Sequence, residues 1–363
     1  MDRESLIETW VKPNVRELHS YHVPDSAGMI KLDAMESPFL LEDSIMEGWL
    51  EALSRVDVNR YPDADSRELK IQIRQCLGIP EDCALILGNG SDELIQLIAI
   101  LLGGENRVFI SPMPSFSMYQ QISLATNTEF VGVPLNSDFS LDFHATLDAI
   151  EQHQPACIFL AYPNNPTGNC FTDSQIRRIL DHAPGMVVVD EAYNAFCGKS
   201  WLEEVKNFPN LVILRTLSKS GLAGLRLGIL AAGAHWTEQL EKLRLPYNIN
   251  ILTQVSGRYL LSHYDIMERQ SQQIVNARDA LSEKLNDVPG ITVYPSETNF
   301  LLIHTALGAD YVHDELKKQK ILIKNLNGSS EALKDCLRVT VSCEKENSFF
   351  LEALKSVHSE VKV

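Results

Sequence analysis

The stretch Met186-Val-Val-Val-Asp190 places four consecutive apolar residues directly before a carboxylate. An uninterrupted apolar run of this length is typical of a strand that is buried on both faces of a sheet. Similar runs recur further along the chain, and stretches with helical spacing, such as residues 94–102, separate them. This alternation predicts an α/β fold with a mostly parallel sheet. The other runs cover residues 84–87, 108–110, 157–161, 211–214 and 228–232.

The pattern changes after about residue 246, which predicts a second, smaller α+β unit. A helix-forming stretch at 259–286 is followed by strand-like runs near 298–303, 321–324 and 337–341 and then by a last helix. We therefore expect an N-terminal arm (1–40) that joins the small domain, a large cofactor-binding domain (41–246) and a small C-terminal domain (247–363).

Length and charge exclude several classes of function. The chain has 363 residues, about twice the common size of one domain, and its 32 basic and 48 acidic residues give a net charge of -16. A polyanion such as nucleic acid, or an anionic membrane surface, is a poor partner for such a protein. The chain also lacks an N-terminal targeting pattern and an apolar run of about 20 residues. We expect a cytoplasmic protein.

The seven cysteines predict neither a disulfide framework nor a metal site. Their number is odd, and no C-x-x-C pair or Cys/His cluster has zinc-binding spacing. Reduced thiols and the absence of a bound metal are the expectation.

The first chemical motif is Leu87-Gly88-Asn89-Gly90-Ser91-Asp92-Glu93-Leu94, in which an apolar strand leads through glycines into a helix. A helix N-terminus presents free backbone N–H groups and a positive dipole end, which suit a phosphate. An ordinary turn with Ser91 as the N-cap explains the same residues.

The second motif, Ala161-Tyr162-Pro163-Asn164-Asn165-Pro166-Thr167-Gly168, follows the run at 157–161. Its prolines fix the backbone, so Asn165 would be held as a rigid amide donor above the strand ends. A plain turn accounts for this motif equally well.

The third motif is Asp190-Glu-Ala-Tyr193, at the end of the opening stretch. A carboxylate directly after four buried residues is unfavourable unless it is paired, so a cationic partner is implied for Asp190. The alternative is a helix N-cap with Tyr193 as a core aromatic residue.

The fourth motif is Thr216-Leu-Ser218-Lys219-Ser-Gly-Leu-Ala-Gly-Leu-Arg226. A lysine in a desolvated loop can have its pKa lowered and can bond to a carbonyl, and an arginine suits a phosphate. A solvated loop lysine is the alternative when this motif is considered alone.

The four motifs together point to one cofactor. Each follows an apolar strand, and the carboxyl ends of parallel strands lie at one edge of a sheet. A phosphate cradle, an amide, a buried acid with a phenol, and a lysine fit pyridoxal 5'-phosphate: the lysine takes the aldehyde and the acid pairs with the pyridine nitrogen.

The elements P-x-N-P-T-G, D-E-A-Y and S-K…G-L-R-x-G resemble those of the fold-type I pyridoxal-phosphate aminotransferases, in the same order and over nearly the whole chain. The resemblance implies a large three-layer α/β/α domain with a mostly parallel sheet and a smaller α+β domain. It implies that Lys219 is the Schiff-base lysine, that Asp190 pairs with the pyridinium, and that Tyr193 and Asn165 bond the ring hydroxyl. Lys219, Asp190 and Tyr193 are the expected catalytic residues. The other expected cofactor contacts are Gly90, Ser91, Asp92, Phe116 (stacking on the ring), Thr216, Ser218 and Arg226.

Within that family, Val15-Arg-Glu-Leu-His-Ser-Tyr21, Asn59-Arg-Tyr61-Pro62 and Thr298-Asn299-Phe300 resemble the histidinol-phosphate aminotransferases. This resemblance implies a homodimer in which Tyr61 reaches the cofactor phosphate of the partner subunit. The positions that face the small anionic substrate are Tyr21, Asn299, Lys324 and Arg338.

The resemblance implies a reaction that transfers an amino group from glutamate to imidazole acetol-phosphate, giving 2-oxoglutarate and histidinol phosphate, in histidine biosynthesis. Another aminotransferase of class I or II, with aromatic or broad specificity, or a phospho-amino-acid decarboxylase would keep the same cofactor residues. Lys324 stands where the subfamily usually has arginine, which keeps the charge but loses the bidentate geometry. The loop from Lys219 to Arg226 is also one residue shorter than in many aminotransferases.

Overall fold

The computed structural model of the chain describes residues 3–20 and 23–360. Its strands within these ranges are β1 (Ile30–Leu32), β2 (Ala84–Asn89), β3 (Val108–Met113), β4 (Glu129–Pro134), β5 (Cys157–Ala161), β6 (Met186–Asp190), β7 (Leu211–Thr216), β8 (Leu227–Ala232), β9 (Ile291–Val293), β10 (Phe300–Thr305), β11 (Ile321–Asn325) and β12 (Cys336–Thr340). Its α-helices are α1 (Arg3–Trp10), α2 (Pro13–Arg16), α3 (Asp43–Ser54), α4 (Arg67–Leu77), α5 (Ser91–Leu102), α6 (Met118–Ala125), α7 (Phe143–His153), α8 (Asp173–His182), α9 (Asn194–Cys197), α10 (Ala234–Glu241), α11 (Ile251–Leu261), α12 (Tyr264–Asn286), α13 (Ala309–Lys318) and α14 (Glu344–Glu360).

The larger sheet has seven strands in the order β2-β8-β7-β6-β5-β3-β4. The pairs β7–β6, β6–β5, β5–β3 and β3–β4 are parallel, whereas β8 is antiparallel to both β2 and β7. The predicted α/β class with a mostly parallel sheet is confirmed. Because β8 runs in the opposite direction, its first residue lies at the same sheet edge as the last residues of the other strands.

Helices cover both faces of this sheet and make three layers. In β6, Val187 and Val189 pack in one apolar cluster with side chains from α4, α7 and α8. Met186 and Val188 point to the other face, into a cluster with α5, α6 and α10. All five residues of β6 are therefore buried, which is why its sequence is a continuous apolar run rather than an alternating one.

The smaller sheet has five strands in the order β1-β11-β12-β10-β9. Its core includes residues from α12, α13 and α14. The N-terminal segment contributes β1, which pairs in parallel with β11. Tyr193 and Phe196, at the carboxyl edge of the large sheet, pack in this same core, so the two units share a hydrophobic contact next to Asp190.

Two features differ from the sequence expectation. The helix-forming stretch at 259–286 is two helices, because the backbone N–H groups of Ser262 and His263 bond to the carbonyls three residues earlier and end α11. The core of the large unit also contains Ile249, Leu260 and Met267, so it extends beyond the expected boundary at residue 246. The apolar spacing of α11 shows that this helix packs on a core, but it does not show which of the two units that core belongs to.

No helix in the described part of the chain is both long and apolar enough to cross a membrane.

Gly228 in β8 gives a test of how tightly the sheet edge is packed. A methyl group on Gly228 would lie 2.3 Å from the backbone carbon of Gly90, so Gly228→Ala forces two backbone segments apart. We expect the free energy of unfolding to fall by about 1–3 kcal/mol in urea titrations. The control is Gly224→Ala, where no heavy atom lies within 4 Å and we expect little change. Equal unfolding midpoints for the two variants would contradict this packing.

Candidate active site

The four sequence motifs meet at one edge of the large sheet. In the strand register Ala161 lies beside Asp190, Asp190 beside Leu214, and Thr216 beside Gly228. The loops that leave β5, β6 and β7 and the turn that enters β8 therefore surround one volume. This arrangement is a consequence of the parallel order and of the single reversed strand.

A cavity at this edge encloses about 590 Å³ of empty space, including its mouth. Several of the predicted cofactor residues line it, and they come from five separate segments of the chain. They are Ser91, Asp92, Phe116, Asn165, Asp190, Tyr193, Thr216, Ser218, Lys219 and Arg226.

The amine of Lys219 lies inside this cavity with its charge poorly solvated. Its Nζ donates to the carbonyl oxygen of Ala34 at 3.2 Å and lies 5.9 Å from the ring centre of Tyr193. Burial, reinforced by the positive charge of Arg338, lowers the pKa of Lys219 to about 8. A sizeable fraction of this amine is therefore neutral, and hence nucleophilic, near neutral pH.

Asp190 is a buried acid with two donors. Its Oδ2 accepts from the hydroxyl of Tyr119 at 2.6 Å, and its Oδ1 accepts from the backbone N–H of Ala192 at 3.1 Å. Burial raises the pKa of Asp190 to about 6, and these hydrogen bonds oppose that rise. The carboxylate is thus ionised at neutral pH and able to pair with a cationic group in the cavity.

Asn165 links the two units of the fold through polar contacts. Its amide nitrogen donates to the hydroxyl of Tyr193 at 3.2 Å, and its carbonyl oxygen accepts from Nη1 of Arg338 at 2.6 Å. Tyr193 also packs edge-on against Phe300 of β10, with ring centres 5.2 Å apart. The amide and the phenol are therefore held together at the cavity wall.

The N-terminus of α5 forms another part of the cavity wall. Gly90 precedes the helix at a φ of 80°, and its N–H donates to the carbonyl oxygen of Arg226 at 2.8 Å. A Cβ on Gly90 would lie 2.5 Å from Nη2 of Arg226, so only glycine leaves room for the guanidinium here. The same guanidinium lies 3.4 Å from Oδ2 of Asp92.

Two hydroxyls extend this polar end. The Thr216 hydroxyl donates to the Ser218 hydroxyl at 2.9 Å and accepts from the Ser218 backbone N–H at 3.1 Å. Together with the first N–H groups of α5 and with Arg226, these groups form a cradle of donors for an anion.

The segment around Met35 forms a further wall that the sequence did not predict. The carbonyl oxygen of Ala34 accepts the hydrogen bond from Lys219. The carbonyl oxygen of Asp33 accepts from Nη2 of Arg338 at 2.9 Å, and that of Met35 accepts from the side-chain amide of Asn299 at 3.0 Å. The N-terminal segment is thus fastened over the cavity by three of the predicted site residues.

The remaining predicted residues lie outside the cavity lining. Asn299 and Arg338 are buried next to it through the contacts above, and Lys324 lies directly across from Arg338 in the pairing of β11 with β12. Tyr61 is 81% exposed, stacks on Tyr247 with ring centres 4.5 Å apart, and borders a separate surface depression. Tyr21 lies outside the described residues.

Sequence reasoning missed Tyr119, which is buried and bonded to Asp190. Its signal was its spacing: it follows Phe116 by three residues at the start of a helix, where such residues share a face. It also missed the buried ion pair of Glu191 with Arg215, whose Nη2 lies 2.9 Å from Oε2. Glu191 directly follows Asp190 at the end of β6 and Arg215 lies in β7, so the pair ties these two strands together.

The cavity fits pyridoxal phosphate by the chemistry of its donor set. A buried carboxylate, a lysine amine and an anion cradle beside Gly90 all border the same cavity. The ring of Phe116 lines the same volume and offers an apolar surface for stacking. Among the described residues, no cluster of three or more His, Cys, Asp or Glu could hold a metal ion.

Comparison of the sequence with known proteins identifies the family. Residues 27–354 match the family model described as aminotransferase class I and II. A histidinol-phosphate aminotransferase 2 from Nitrosococcus oceani is 46% identical over 351 residues, which are 96% of this chain and 98% of that protein. A histidinol-phosphate aminotransferase from Chromobacterium violaceum is 42% identical over 349 residues, 96% of this chain and 98% of that protein.

The fold also matches solved structures. The histidinol-phosphate aminotransferase from Sinorhizobium meliloti, solved in complex with pyridoxal-5'-phosphate, superposes with a TM-score of 0.86 at 21% identity, covering 98% of this chain and 99% of that one. At this identity the likeness concerns the fold alone. With the family model spanning nearly its whole length, the chain belongs to the aminotransferase class I and II family.

Proposed function

We propose that this protein is a pyridoxal-phosphate-dependent aminotransferase that exchanges an amino group between histidinol phosphate and 2-oxoglutarate. The observation that carries the proposal is the convergence of Lys219, Asp190 and the α5 N-terminus on one cavity. The relatives that are 41–46% identical to the chain are named histidinol-phosphate aminotransferases, which supports the substrate.

When bound, pyridoxal phosphate supplies an aldehyde for amino groups and a ring that withdraws electrons from the neighbouring carbon. Arg226, the N–H groups of α5, and the hydroxyls of Thr216 and Ser218 would hold its phosphate. The Asp190 carboxylate would accept a hydrogen bond from its ring nitrogen and keep that nitrogen protonated. Asn165 and Tyr193, already bonded to each other, would orient the ring hydroxyl.

Lys219 moves the proton in this proposal. Its amine, with a pKa of about 8, would accept a proton from the α-carbon of the substrate as a general base and then, as a general acid, return it to the carbon that carried the cofactor's aldehyde. The buried position of Lys219 in the cavity limits competition from water for that proton.

The two positive side chains of the small unit suit anionic substrates. Lys324 in β11 and Arg338 in β12 lie opposite each other in the strand register. Arg338 already contacts Asn165 at the cavity wall. A carboxylate or a phosphate on the substrate could replace the backbone and amide oxygens that Arg338 now binds. Asn299 holds the Met35 wall and would shape the same subsite.

We propose that the active form is a homodimer. Apolar side chains near Tyr61 are left in contact with water, which is typical of a surface that a partner covers. They include Val58 at 75%, Leu245 at 71% and Leu252 at 47% exposure. Tyr61 is too exposed to serve the cavity of its own chain, so it would reach the phosphate end of the partner's cavity. An environment that keeps the free cysteines reduced, such as the cytoplasm, is part of this proposal.

The half-reaction tests the function directly. The yellow colour of the protein loaded with pyridoxal phosphate should bleach on addition of histidinol phosphate and return with 2-oxoglutarate. Lys219→Ala should bind the cofactor without covalent attachment and lose at least about 10²-fold in turnover. Bleaching by aromatic amino acids or aspartate but not by histidinol phosphate, or release of carbon dioxide, would contradict the proposal.

The low pKa of Lys219 predicts its reactivity in the cofactor-free protein. Labelling of Lys219 by an amine-selective reagent, followed by peptide mass spectrometry, should rise with pH and reach its half-maximum near pH 8, because only the neutral amine reacts. Arg338→Gln removes a positive charge that lowers this pKa, so its midpoint should move to higher pH. Arg177→Gln alters an arginine paired with Glu204 at the surface and should not move it. A midpoint unchanged by Arg338→Gln would contradict the assignment.

The role of Tyr61 can be tested with mixed dimers. Tyr61→Ala and Lys219→Ala homodimers should each be impaired, because every site lacks one of the two residues. A heterodimer, purified through two different tags, should regain one complete site and up to about half of the wild-type activity. A purified heterodimer without recovery would exclude a contribution of Tyr61 across the interface.

A further inference from the structure

Tyr119 is a buried tyrosine whose hydroxyl is directed at the acid of the candidate site. Its side chain is fully buried, and its hydroxyl donates to Oδ2 of Asp190 at 2.6 Å. This is a short, charge-assisted hydrogen bond, the stronger class of such bonds in proteins. The residue lines the candidate cavity, where it contacts the carboxylate of Asp190.

The ring of Tyr119 is fixed by its neighbours. It stacks on Phe159 of β5 with ring centres 4.7 Å apart and planes 7° apart, and Phe116 packs against it edge-on at 5.5 Å. A tyrosine packed on two sides keeps its hydroxyl in one place. The direction of the hydrogen bond to Asp190 is therefore set by packing and not by the carboxylate alone.

The groups around Asp190 act in opposite directions on its ionisation, and Tyr119 is one of those that favour the carboxylate. Burial and the negative charges of Asp92 and Glu191 favour the neutral acid, whereas Tyr119 and the N–H of Ala192 favour the carboxylate. The charge of Glu191 is offset by its ion pair with Arg215. The other ionisable side chains that line the cavity are Lys219, Arg226 and Tyr193.

We propose that Tyr119 is a positioning residue that keeps Asp190 ionised and aimed at the ring nitrogen of the cofactor. One oxygen of Asp190 is held by Tyr119 and the other by Ala192, which fixes the plane of the carboxylate. The tyrosine proton stays on its oxygen, because burial and the neighbouring carboxylate hold the pKa of Tyr119 far above its usual range. Tyr119 thus acts through Asp190 and does not transfer a proton itself. The inference rests on the proposed cofactor.

The test compares two cofactors on the cofactor-free protein and needs no amino substrate. Pyridoxal phosphate and its deaza analogue, in which C–H replaces the ring nitrogen, differ only at the atom that faces Asp190. The wild-type preference for the ring nitrogen should fall as the pH drops through about 6, where Asp190 takes up a proton. In Tyr119→Phe, which loses one charge-assisted donor, that fall should occur about one pH unit higher.

Tyr162→Phe is the matched control, since it removes another buried tyrosine hydroxyl that bonds to Asp173 rather than to Asp190. It should keep the wild-type pH midpoint. Tyr119→His is a second variant that keeps the test usable if Tyr119→Phe folds poorly. Its imidazole N–H can also donate to Asp190, so it should keep most of the preference for the ring nitrogen. Urea titration of each variant checks folding.

A role in packing alone would weaken the binding of both cofactors equally and leave the pH midpoint in place. That outcome, or the same shift in Tyr162→Phe, would overturn the inference. The binding ratio does not depend on which amino acid the protein transaminates, so a failed half-reaction with histidinol phosphate and a failed Tyr119 test are separate results.

Discussion

The buried carboxylate of Asp190 is the group around which the centre of this structure is arranged. It ends a strand with no exposed residue, and an ionised acid in that position is stable only with donors or a cation around it. Tyr119 from α6 and the N–H of Ala192 supply the donors, and the cavity supplies room for a cation. Helix α6 has to pack on the sheet before this charge is satisfied. Folding and the proposed cofactor binding therefore depend on the same contact.

The direction of β8 decides the other end of the site. A parallel β8 would place Arg226 at the far edge of the sheet, whereas the antiparallel strand starts beside Gly90 and the α5 N-terminus. The close approach of Gly228 to Gly90 brings the two backbones together, and the lack of side chains leaves space for the guanidinium. The proposed phosphate site thus depends on two glycines and one strand reversal.

The overall charge of -16 describes the outer surface more than the site. Lys219, Arg226 and Arg338 lie at or beside one cavity, and Lys324 lies opposite Arg338 on the neighbouring strand of the small sheet. Their carbonyl, amide and carboxylate partners come from different segments, among them the Asp33–Met35 wall, Asn165 and Asp92. An acidic protein can in this way keep a locally cationic pocket for small anions while its surface repels polyanions.

The sequence by itself indicated most of the strands, their mostly parallel order and a set of candidate cofactor residues, ten of which line one cavity. Apolar runs followed directly by polar side chains report burial and its end, and these are local properties of the chain. The sequence did not show that Tyr119 bonds to Asp190, because 71 residues separate them and only the packing of α6 brings them together. Nor did it show the extension of the large core past residue 246 or the Met35 wall. Tertiary structure alone decided these features, since each depends on which distant surfaces pack against one another and not on any local preference of the backbone.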